Sequence, residues 1–575
     1  MRLSDYIIQF LRDQYDIDTI FTVSGGGCIF LIDSLGTTPG VQYIATHHEQ
    51  AASIAAEGYA RMNGKLGACI VTSGPGCTNA ITGTLCSWLD SVPVIVISGQ
   101  VNTDMTTNYT GLPLRQLGDQ EFNIVESVKN MTKYAVQVND SSEIRYHMEK
   151  ACKLATTGRP GPVWIDIPLN IQSANIEPET LIGYTDEQPE YKPEPTHMDT
   201  LMGKWKSAKK PLLVVGNGVR LSGAVDDIRE VLARTSIPTI TAINGNDIVN
   251  SDYRYYYGRF GTHAQICANT LLSECDFLLT IGSRLYVRQT GYNFKSFAKQ
   301  AFRVYVDIDS EELNKPTLYP DIAINADAKK FIKELLKNEL PISNPGWLNQ
   351  CDDINKAPKV LQRHRDNKNY VSHYAFVEEL STVLPPEHHI VTSDGTANVA
   401  TMQVLDLKGD QRLFTNTGCA PMGYGLPAAI GASVHNKIIC LEGDGSLHLN
   451  IQELQTIKHY NLPIKLILLN NDGYLSIKLS QKSFFNERYV ASEKNSGVSF
   501  PNFEKIIKAY DIPYCSIKTN RDIQPTLNQF LQQDGPCVCE VFTDPDEYHE
   551  PKVLAKLDKD GKFIPGELKN IQWIE

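Results

Sequence analysis

The 575-residue chain contains no continuous apolar stretch of the ~20 residues that a membrane-spanning helix needs. Its first residues run into an amphipathic pattern without the apolar core of a signal peptide. Basic residues are in deficit, with 54 Lys and Arg against 66 Asp and Glu, and the formal net charge is −12. We therefore expect neither a membrane protein nor a nucleic-acid-binding protein, since the latter usually carries a basic stripe.

The cysteine pattern is not that of a disulfide framework. The chain has 13 cysteines, an odd number scattered along its length, which favours reduced thiols and a cytoplasmic location over secretion. With 42% hydrophobic and 21% charged residues, the composition is that of an ordinary soluble globular protein. The length predicts about three or four domains.

Short apolar runs rich in Val, Ile and Leu alternate with helix-length segments throughout the chain. Such continuous runs are typical of parallel strands that are buried on both faces. The predicted strands are residues 68–72, 92–98, 163–167, 211–215, 239–242, 277–281, 303–308, 390–392, 438–441, 464–469 and 538–542. The alternation predicts an α/β fold with several doubly wound parallel sheets.

Two changes in composition divide the chain. Residues 186–199 are rich in Pro and Glu without apolar periodicity, and residues 341–370 combine Pro, Asn, Asp and Lys with weak periodicity. We interpret both as connections. The chain is thus predicted to form three doubly wound parallel-sheet domains and a C-terminal tail, with ranges 1–175, 195–340, 370–545 and 546–575.

Polar and glycine residues follow two neighbouring predicted strands in the last third of the chain. Gly443-Asp444-Gly445-Ser446 follows one strand, and Asn470-Asn471-Asp472-Gly473 follows the next. Parallel neighbours end at the same sheet edge, so Asp444 and Asn471 offer hard oxygen ligands for Mg²⁺, while glycine N–H groups and a helix N-terminus suit a diphosphate. Either sequence alone is an ordinary turn. The pair indicates a cofactor site.

This pair, GDG and then NN after 24 intervening residues, resembles the cofactor motif of the thiamine-diphosphate-dependent enzymes. A second match is His48-Glu49-Gln50-Ala51-Ala52, followed by residues 72–79 at a strand end. The resemblance implies that Glu49 is the catalytic glutamate, which hydrogen-bonds the aminopyrimidine ring of the cofactor. Its small apolar neighbours favour burial of this glutamate. Glu57, on the same predicted helix, is the alternative.

A third match, residues 418–431, contains Met422, which the resemblance implies supports the bent shape of the cofactor. Thiamine diphosphate and Mg²⁺ are the implied cofactors. The implied cofactor contacts are Ser73, Gly74, Pro75, Asn79, Gly395, Thr396, Met422, Gly443, Gly445, Ser446 and Tyr474, and the implied Mg²⁺ ligands are Asp444, Asn471 and the Gly473 carbonyl.

Within this family the chain is most similar to the acetolactate synthase branch of catalytic large subunits, over nearly its whole length. The resemblance implies substrate contacts from Gly26, Gln120, Lys133 and Ser480. Asp119 and Ser480 depart from the branch, which usually has a Phe and a Trp at these positions. Short polar residues are expected to open the acceptor side, because a pocket discriminates through the atoms that fill it.

The middle domain resembles the flavin-binding version found in the same branch. Arginines and glycine-rich backbone are expected to hold the diphosphate of FAD, with aspartates near its ribose or ring. The implied FAD residues are Arg259, His263, Arg284, Arg288, Asp309 and Asp327. Sister branches keep this domain with ADP or with nothing bound, so a chain without FAD is the alternative.

The resemblance implies decarboxylation of a 2-oxo acid, with pyruvate expected, and transfer of the acyl anion to an acceptor carbonyl. The acceptor is left open between a second pyruvate and a keto-sugar or other bulky ketone. A pyruvate oxidase-like enzyme and a plain 2-oxo acid decarboxylase are alternative activities. The expected partners are small-molecule substrates. Active sites shared between two chains are also implied, hence a homodimer or homotetramer, and the need for a regulatory subunit is left open.

Overall fold

The computed structural model describes residues 1–185, 191–557, 559–560 and 562–574. Three six-stranded parallel sheets, flanked by helices, follow one another along this part of the chain. The predicted fold class of three α/β parallel-sheet domains is confirmed. No helix of the described residues is long and apolar enough to cross a membrane.

The N-terminal sheet has the spatial order β2-β1-β3-β4-β6-β5. Its strands are β1 Thr19–Thr22, β2 Gln42–Ala45, β3 Gly67–Val71, β4 Val94–Gln100, β5 Tyr134–Gln137 and β6 Val163–Pro168. Its longer helices are Leu3–Tyr15, Ile29–Thr37, Glu49–Asn63, Ile81–Leu89 and Ile144–Thr156. Every residue of β3, β4 and β6 is buried, as expected for strands covered by helices on both faces.

The central sheet has the order β12-β11-β10-β7-β8-β9. Its strands are β7 Pro211–Val215, β8 Thr239–Thr241, β9 Tyr256–Arg259, β10 Phe277–Ile281, β11 Phe302–Asp307 and β12 Ile322–Asn325, and its longer helices are Pro195–Ser207, Val225–Thr235, Ile266–Glu274 and Ala328–Leu336. Counted from its own first strand, this order is 3-2-1-4-5-6, the arrangement of dinucleotide-binding folds. The reversal of strand order lies between β7 and β10, where such folds bind their ligands.

The C-terminal sheet has the order β14-β13-β15-β16-β18-β17, which repeats the topology of the N-terminal sheet. Its strands are β13 His388–Thr392, β14 Leu413–Phe414, β15 Lys437–Gly443, β16 Ile464–Asn470, β17 Tyr514–Ile517 and β18 Cys537–Phe542. Its longer helices are His373–Val383, Thr396–Val404, Gly425–Ala432, Glu453–His459, Leu475–Phe484, Phe503–Ala509 and Ile523–Leu531.

The segments between the sheets are more ordered than their composition predicts. Helix Pro195–Ser207 begins inside the predicted linker, with proline in its first turn; residues 186–190 of that linker lie outside the described residues. Helix Pro345–Ile354 occupies the predicted second connection, because Trp347 buries its ring and donates its indole N–H to the Pro211 carbonyl at 3.0 Å. In the tail, Lys552–Val553 pairs antiparallel with Ile571–Gln572.

Two helices join the N-terminal and C-terminal domains within the chain. Helix Glu49–Asn63 packs on helix Gly425–Ala432 so closely that a Cβ at Gly58 would meet the Ala428 carbonyl. Small residues on both helices permit this approach. Their side chains belong to a single hydrophobic core that extends from one domain into the other. The helix that begins at Glu49 is therefore fixed relative to the C-terminal sheet.

Candidate functional site

Asp444 organises the carboxyl edge of the C-terminal sheet. It follows β15 and opens the short helix Asp444–Leu449, and it is only 2% exposed. Its carboxylate accepts backbone N–H groups from Gly445 at 2.7 Å, Asn471 at 3.0 Å and Gly473 at 3.3 Å. Burial nevertheless raises its pKa to about 7. The turn after β15 and the loop after β16 are thus joined through one carboxylate.

The residues of this loop fit a cation. The side-chain oxygen of Asn471 is buried and has no hydrogen-bond partner among the described residues. A buried acceptor without a donor is costly unless a ligand satisfies it. The neighbouring Asp444 carboxylate supplies negative charge, and oxygen ligands of this kind suit Mg²⁺. The three predicted metal ligands Asp444, Asn471 and Gly473 lie together.

The predicted diphosphate residues surround the same turn. Gly445 must be glycine because a Cβ there would overlap the ring of Tyr474, whereas a Cβ at Gly443 would meet nothing within 4 Å. Ser446 Oγ accepts the Gly423 N–H at 2.7 Å, which brings the neighbouring Met422 to this turn. Met422 is 40% exposed, an unusual exposure for a large apolar side chain in a fixed turn.

Gly395 and Thr396 approach this region from β13. Gly395 has φ +79°, and a Cβ there would lie 3.6 Å from the Ser476 hydroxyl, at the start of the helix that follows Tyr474. Thr396 is buried, and its hydroxyl lies 3.0 Å from His549 Nε2 of the C-terminal tail. The structure therefore gathers the predicted cofactor residues of the C-terminal domain at one sheet edge.

Glu442 is a buried carboxyl beside this site that sequence reasoning missed. It is fully buried at the end of β15 and accepts the Leu426 N–H at 2.7 Å, while its second oxygen has no hydrogen-bond partner among the described residues. Burial raises its pKa to about 7. The sequence signal that could have identified Glu442 is an acidic residue that directly continues an inner apolar strand, immediately before Gly443.

Glu49 is the first residue of its helix, directly after the His48 cap, and is partly buried. Its carboxylate accepts the Asn79 side-chain N–H at 2.9 Å, so two predicted cofactor residues are in direct contact. The alternative, Glu57, is fully buried and bonded to Arg61, Asn416 and the Tyr424 hydroxyl. A carboxylate sealed in this way serves domain packing, and the geometry favours Glu49 as the reactive group.

Residues 72–79 form the strand-to-helix turn next to Glu49, with Ser73, Gly74 and Pro75 at its start. Gly74 has φ +56°, and a Cβ there would lie 2.5 Å from the Gln120 carbonyl. On the other side, Thr72 Oγ1 accepts the Gly27 N–H at 3.0 Å, which places Gly26 beside the same turn. Two predicted substrate residues, Gly26 and Gln120, therefore flank this turn.

Lys133 is not brought together with those two residues in this chain. It precedes β5, at the opposite, amino edge of the sheet, and its ammonium donates to the Thr157 and Arg159 carbonyls at 2.7 Å each. Burial lowers its pKa to about 8. Its contacts are those of a structural lysine that holds residues 157–159. Ser480 is exposed on helix Leu475–Phe484 and donates to the Ser476 carbonyl.

A cleft of about 450 Å³ lies at the strand-order reversal of the central sheet. Arg284 and Asp327 line it, as the resemblance implies, and Asp309 pairs with Arg159 at its rim at 2.8 Å. Buried side-chain oxygens without a hydrogen-bond partner among the described residues also belong to its lining; they are those of Asn244, Ser283 and Tyr286. These unsatisfied groups fit a polar ligand.

Four of the predicted flavin residues lie outside this lining: Asp309 is at the rim, and the other three lie elsewhere. Arg259 is buried and donates to the Met402 and Leu405 carbonyls at 3.0 and 2.9 Å, so it joins the central and C-terminal domains. His263 is exposed, and Arg288 pairs with Asp394 of the C-terminal domain at 3.6 Å. Arg259 and Arg288 therefore make contacts between domains, which a sequence pattern cannot distinguish from contacts to a ligand.

The fold and these clusters define the class of protein: a three-domain α/β protein whose polar and glycine residues gather at the carboxyl edges of its sheets. Three family models match it in order: the N-terminal TPP binding domain of thiamine pyrophosphate enzymes at residues 1–127, their central domain at 199–335 and their C-terminal TPP binding domain at 394–541. The chain belongs to the thiamine-diphosphate-dependent enzymes, in their acetolactate synthase-like branch.

Curated relatives agree along nearly the full length. The chain is 32% identical to the acetolactate synthase isozyme 2 large subunit of Escherichia coli K12, covering 95% of this chain and 96% of the relative. It is 30% identical to the acetolactate synthase large subunit of Lactococcus lactis, covering 97% and 95%. It is 31% identical to the chloroplastic acetolactate synthase of Arabidopsis thaliana, covering 97% and 83%. The chain is a thiamine-diphosphate-dependent acyl-transferring enzyme.

Proposed function

We propose that this enzyme decarboxylates pyruvate and transfers the resulting acyl anion to an acceptor carbonyl, with Mg²⁺ and thiamine diphosphate bound at the Asp444 turn. The observation that carries the proposal is the unsatisfied Asn471 oxygen beside the buried Asp444 carboxylate. Together with the Gly473 carbonyl they supply three oxygen ligands. The rest of the Mg²⁺ shell is left for phosphate and water, as this ion prefers.

The chain's own groups then bind and orient the cofactor. The backbone N–H group of Ser446, in the first turn of helix Asp444–Leu449, favours an anionic diphosphate. Met422, exposed beside Gly423, offers an apolar support for the rings. When bound, thiamine diphosphate supplies the nucleophilic carbon and the electron sink that decarboxylation of a 2-oxo acid requires.

Glu49 is proposed as the group that holds and moves a proton at the cofactor's aminopyrimidine ring. It is partly buried, and only one of its oxygens is engaged by the Asn79 amide. The other oxygen, Oε1, is the one that lies near Gly76 on the turn of residues 72–79. A carboxyl with one oriented and one available oxygen is suited to general acid–base work.

A keto-sugar or another bulky ketone is the second candidate acceptor, alongside a second pyruvate. Asp119 and Ser480 are both exposed, so neither closes the acceptor side within one chain. The flanking residues Leu112 and Ile477 are apolar and also exposed, at 60% and 50%. A binding site that is open on its acceptor side discriminates only weakly between small and large acceptors.

FAD is proposed for the central cleft, which Arg284 and Asp327 line. Arg284 also donates to the Leu89 carbonyl at 2.5 Å and pairs with Asp90 at 3.3 Å, and Asp327 caps helix Ala328–Leu336. The volume of the cleft and the three unsatisfied oxygens in its lining support a polar ligand of nucleotide size. ADP in the same cleft is the alternative. Acid-released ligand from purified protein, identified by its absorption and mass, decides between them.

A homodimer or homotetramer is proposed as the active assembly. Apolar side chains are exposed on both faces that flank the proposed site; they include Tyr109, Leu112, Leu114 and Leu117 in the N-terminal domain and Ile477, Phe485 and Val490 in the C-terminal domain. Clusters of this kind mark protein–protein contacts. Light scattering after gel filtration tests this, with and without a candidate regulatory chain.

The decisive experiment incubates purified protein with thiamine diphosphate, Mg²⁺ and pyruvate, alone and with a panel of carbonyl acceptors, and identifies the products by mass spectrometry. Carboligation products are expected: acetolactate from pyruvate alone, or a two-carbon branch on a ketone. If free aldehyde is the only product, the enzyme is a plain decarboxylase and the proposal is wrong. If pyruvate alone bleaches a bound flavin, the enzyme is an oxidase and the proposal is also wrong.

A further inference from the structure

A buried carboxylate of the C-terminal domain, that of Glu453, binds the backbone just before the Glu49 helix. Glu453, the first residue of helix Glu453–His459, is fully buried. Its Oε1 accepts the backbone N–H of His47 at 3.0 Å, and its Oε2 accepts the Thr456 hydroxyl at 2.6 Å. His47 precedes Glu49 by two residues. The carboxylate therefore ties a second domain to the chain just before the proposed catalytic group.

The neighbouring Asn450 makes a second tie to the same place. Its side-chain N–H group donates to the Gly423 carbonyl at 2.7 Å and contacts the Gln50 side-chain oxygen at 3.4 Å. Gln452 in turn donates to the Asn450 side-chain oxygen at 3.1 Å. Residues 450–453, which we name the clamp, thus contact the chain on both sides of Glu49 and also the backbone beside Met422.

The clamp is continuous with the proposed metal turn. Helix Asp444–Leu449 begins at the carboxylate that binds three backbone N–H groups and ends at Asn450. By contrast, His47 and most of β2 are exposed, so the chain that leads to Glu49 has little burial of its own. The Glu453 carboxylate, at the start of helix Glu453–His459, also interacts favourably with the positive end of that helix dipole.

We propose that Glu453 is a positioning residue for Glu49: it fixes the helix start that carries Glu49 relative to the C-terminal domain of its own chain, and thereby sets where Glu49 lies in the active site. The inference rests on the proposed role of Glu49. Glu453 reaches no reacting atom; it acts through the His47 backbone. Displacement of a reacting group by about 1 Å costs on the order of 100-fold in rate, so this tie has catalytic consequences without being part of the chemistry.

The test compares Glu453→Ala, Glu453→Gln and Gln455→Ala in the full-length protein. Gln455 is exposed on the same helix and serves as the matched control. Glu453→Ala is expected to lower kcat about 10- to 100-fold with KM and cofactor affinity unchanged. Glu453→Gln keeps an acceptor oxygen for the His47 N–H and should recover most of the loss. Gln455→Ala should match the wild type.

Amide hydrogen exchange of peptides covering residues 42–52, measured on the same proteins without cofactor, is the readout that does not depend on turnover. Faster exchange there in Glu453→Ala, restored in Glu453→Gln, supports the clamp. Unchanged exchange, or a fall in cofactor affinity that matches the fall in kcat, overturns it. A wild type that is inactive with every 2-oxo acid contradicts the proposed function instead, while the exchange result still decides the clamp.

Discussion

The proposed cofactor turn of the C-terminal sheet and the proposed acceptor face are built in opposite ways. At the cofactor turn, Asp444 is buried and holds three backbone N–H groups, and Gly445 is packed against Tyr474. In the two segments proposed for the acceptor side, residues 106–122 and helix Leu475–Phe484, the side chains of Leu112 and Ile477 are exposed. One region is complete within the chain, and the other is open.

The difference teaches where specificity can vary. A preorganised turn recognises one fixed group, and its geometry tolerates little change because each contact is buried. An open face leaves selection to whatever covers it, whether a second copy of the chain or the acceptor itself. We therefore expect substitutions of the buried, packed residues of the turn to lower cofactor-dependent activity and substitutions at the face to change only the choice of acceptor.

The largest effect is expected from Glu49→Gln. The amide keeps the shape and the contact with Asn79 but cannot carry the proton, so turnover should fall by at least about 100-fold. Thermal stability and cofactor binding should stay near wild type. Product formation from pyruvate, measured by mass spectrometry, is the readout. Undiminished decarboxylation in this variant would show that Glu49 is not the catalytic group.

Asp444→Ala is expected to weaken retention of the cofactor with its metal about 10- to 100-fold, since a charged ligand is removed together with the acceptor of three backbone N–H groups. Chelation of divalent cations from the wild type should give a similar loss. Cofactor content after gel filtration is the measurement. Gln455→Ala, at an exposed position on helix Glu453–His459, is the control. Equal content in all samples contradicts the metal site.

Gly445→Ala and Gly443→Ala form a matched pair that separates packing from chemistry. The added methyl at Gly445 overlaps the Tyr474 ring and should cost about 1–3 kcal/mol of stability, whereas at Gly443 it enters open space. Thermal unfolding of the cofactor-free proteins should show a lower Tm for Gly445→Ala alone. Equal Tm values would mean that the turn is not preorganised.

Ser480→Trp sharpens the comparison from the other side. A large ring on the exposed acceptor face should exclude bulky ketones and lower their kcat/KM about 10-fold, with little change for a second pyruvate. Competition assays with paired acceptors measure this ratio. The same loss for both acceptors would indicate that position 480 affects the enzyme generally and does not select by size.

Sequence reasoning recovered the interior of the sheets and missed their edges. All eleven predicted strands correspond to inner strands, while β2, β5, β9, β12, β14 and β17, the edge strands of the three sheets, were not predicted. An edge strand has one neighbour and one open side, so its burial alternates, as in β12, and the continuous apolar run is lost. Inner β1 was missed as well, since it is short and flanked by threonines. The domain boundaries stay predictions.

The predicted site residues also divide into those specified by local sequence and those whose contacts are distant in sequence. Asp444, Asn471 and Glu49 were identified from local motifs, because a turn sequence at a strand end specifies its own geometry. Lys133 and Arg259 were assigned to ligands, yet they bind backbone carbonyls at 157–159 and at the end of helix Thr396–Val404. Charge can be read from a sequence, but the partner of a charge depends on contacts distant in sequence.

The sequence by itself determined the family, the parallel α/β architecture and the chemistry available at each strand end, because these depend on short-range patterns of apolar, glycine and polar residues. Only the tertiary structure decided which groups meet. It placed Glu453 against His47, 406 residues away along the chain, and left the Asn471 oxygen buried without a partner among the described residues. Contacts of this kind arise from the packing of whole domains, which no local pattern encodes.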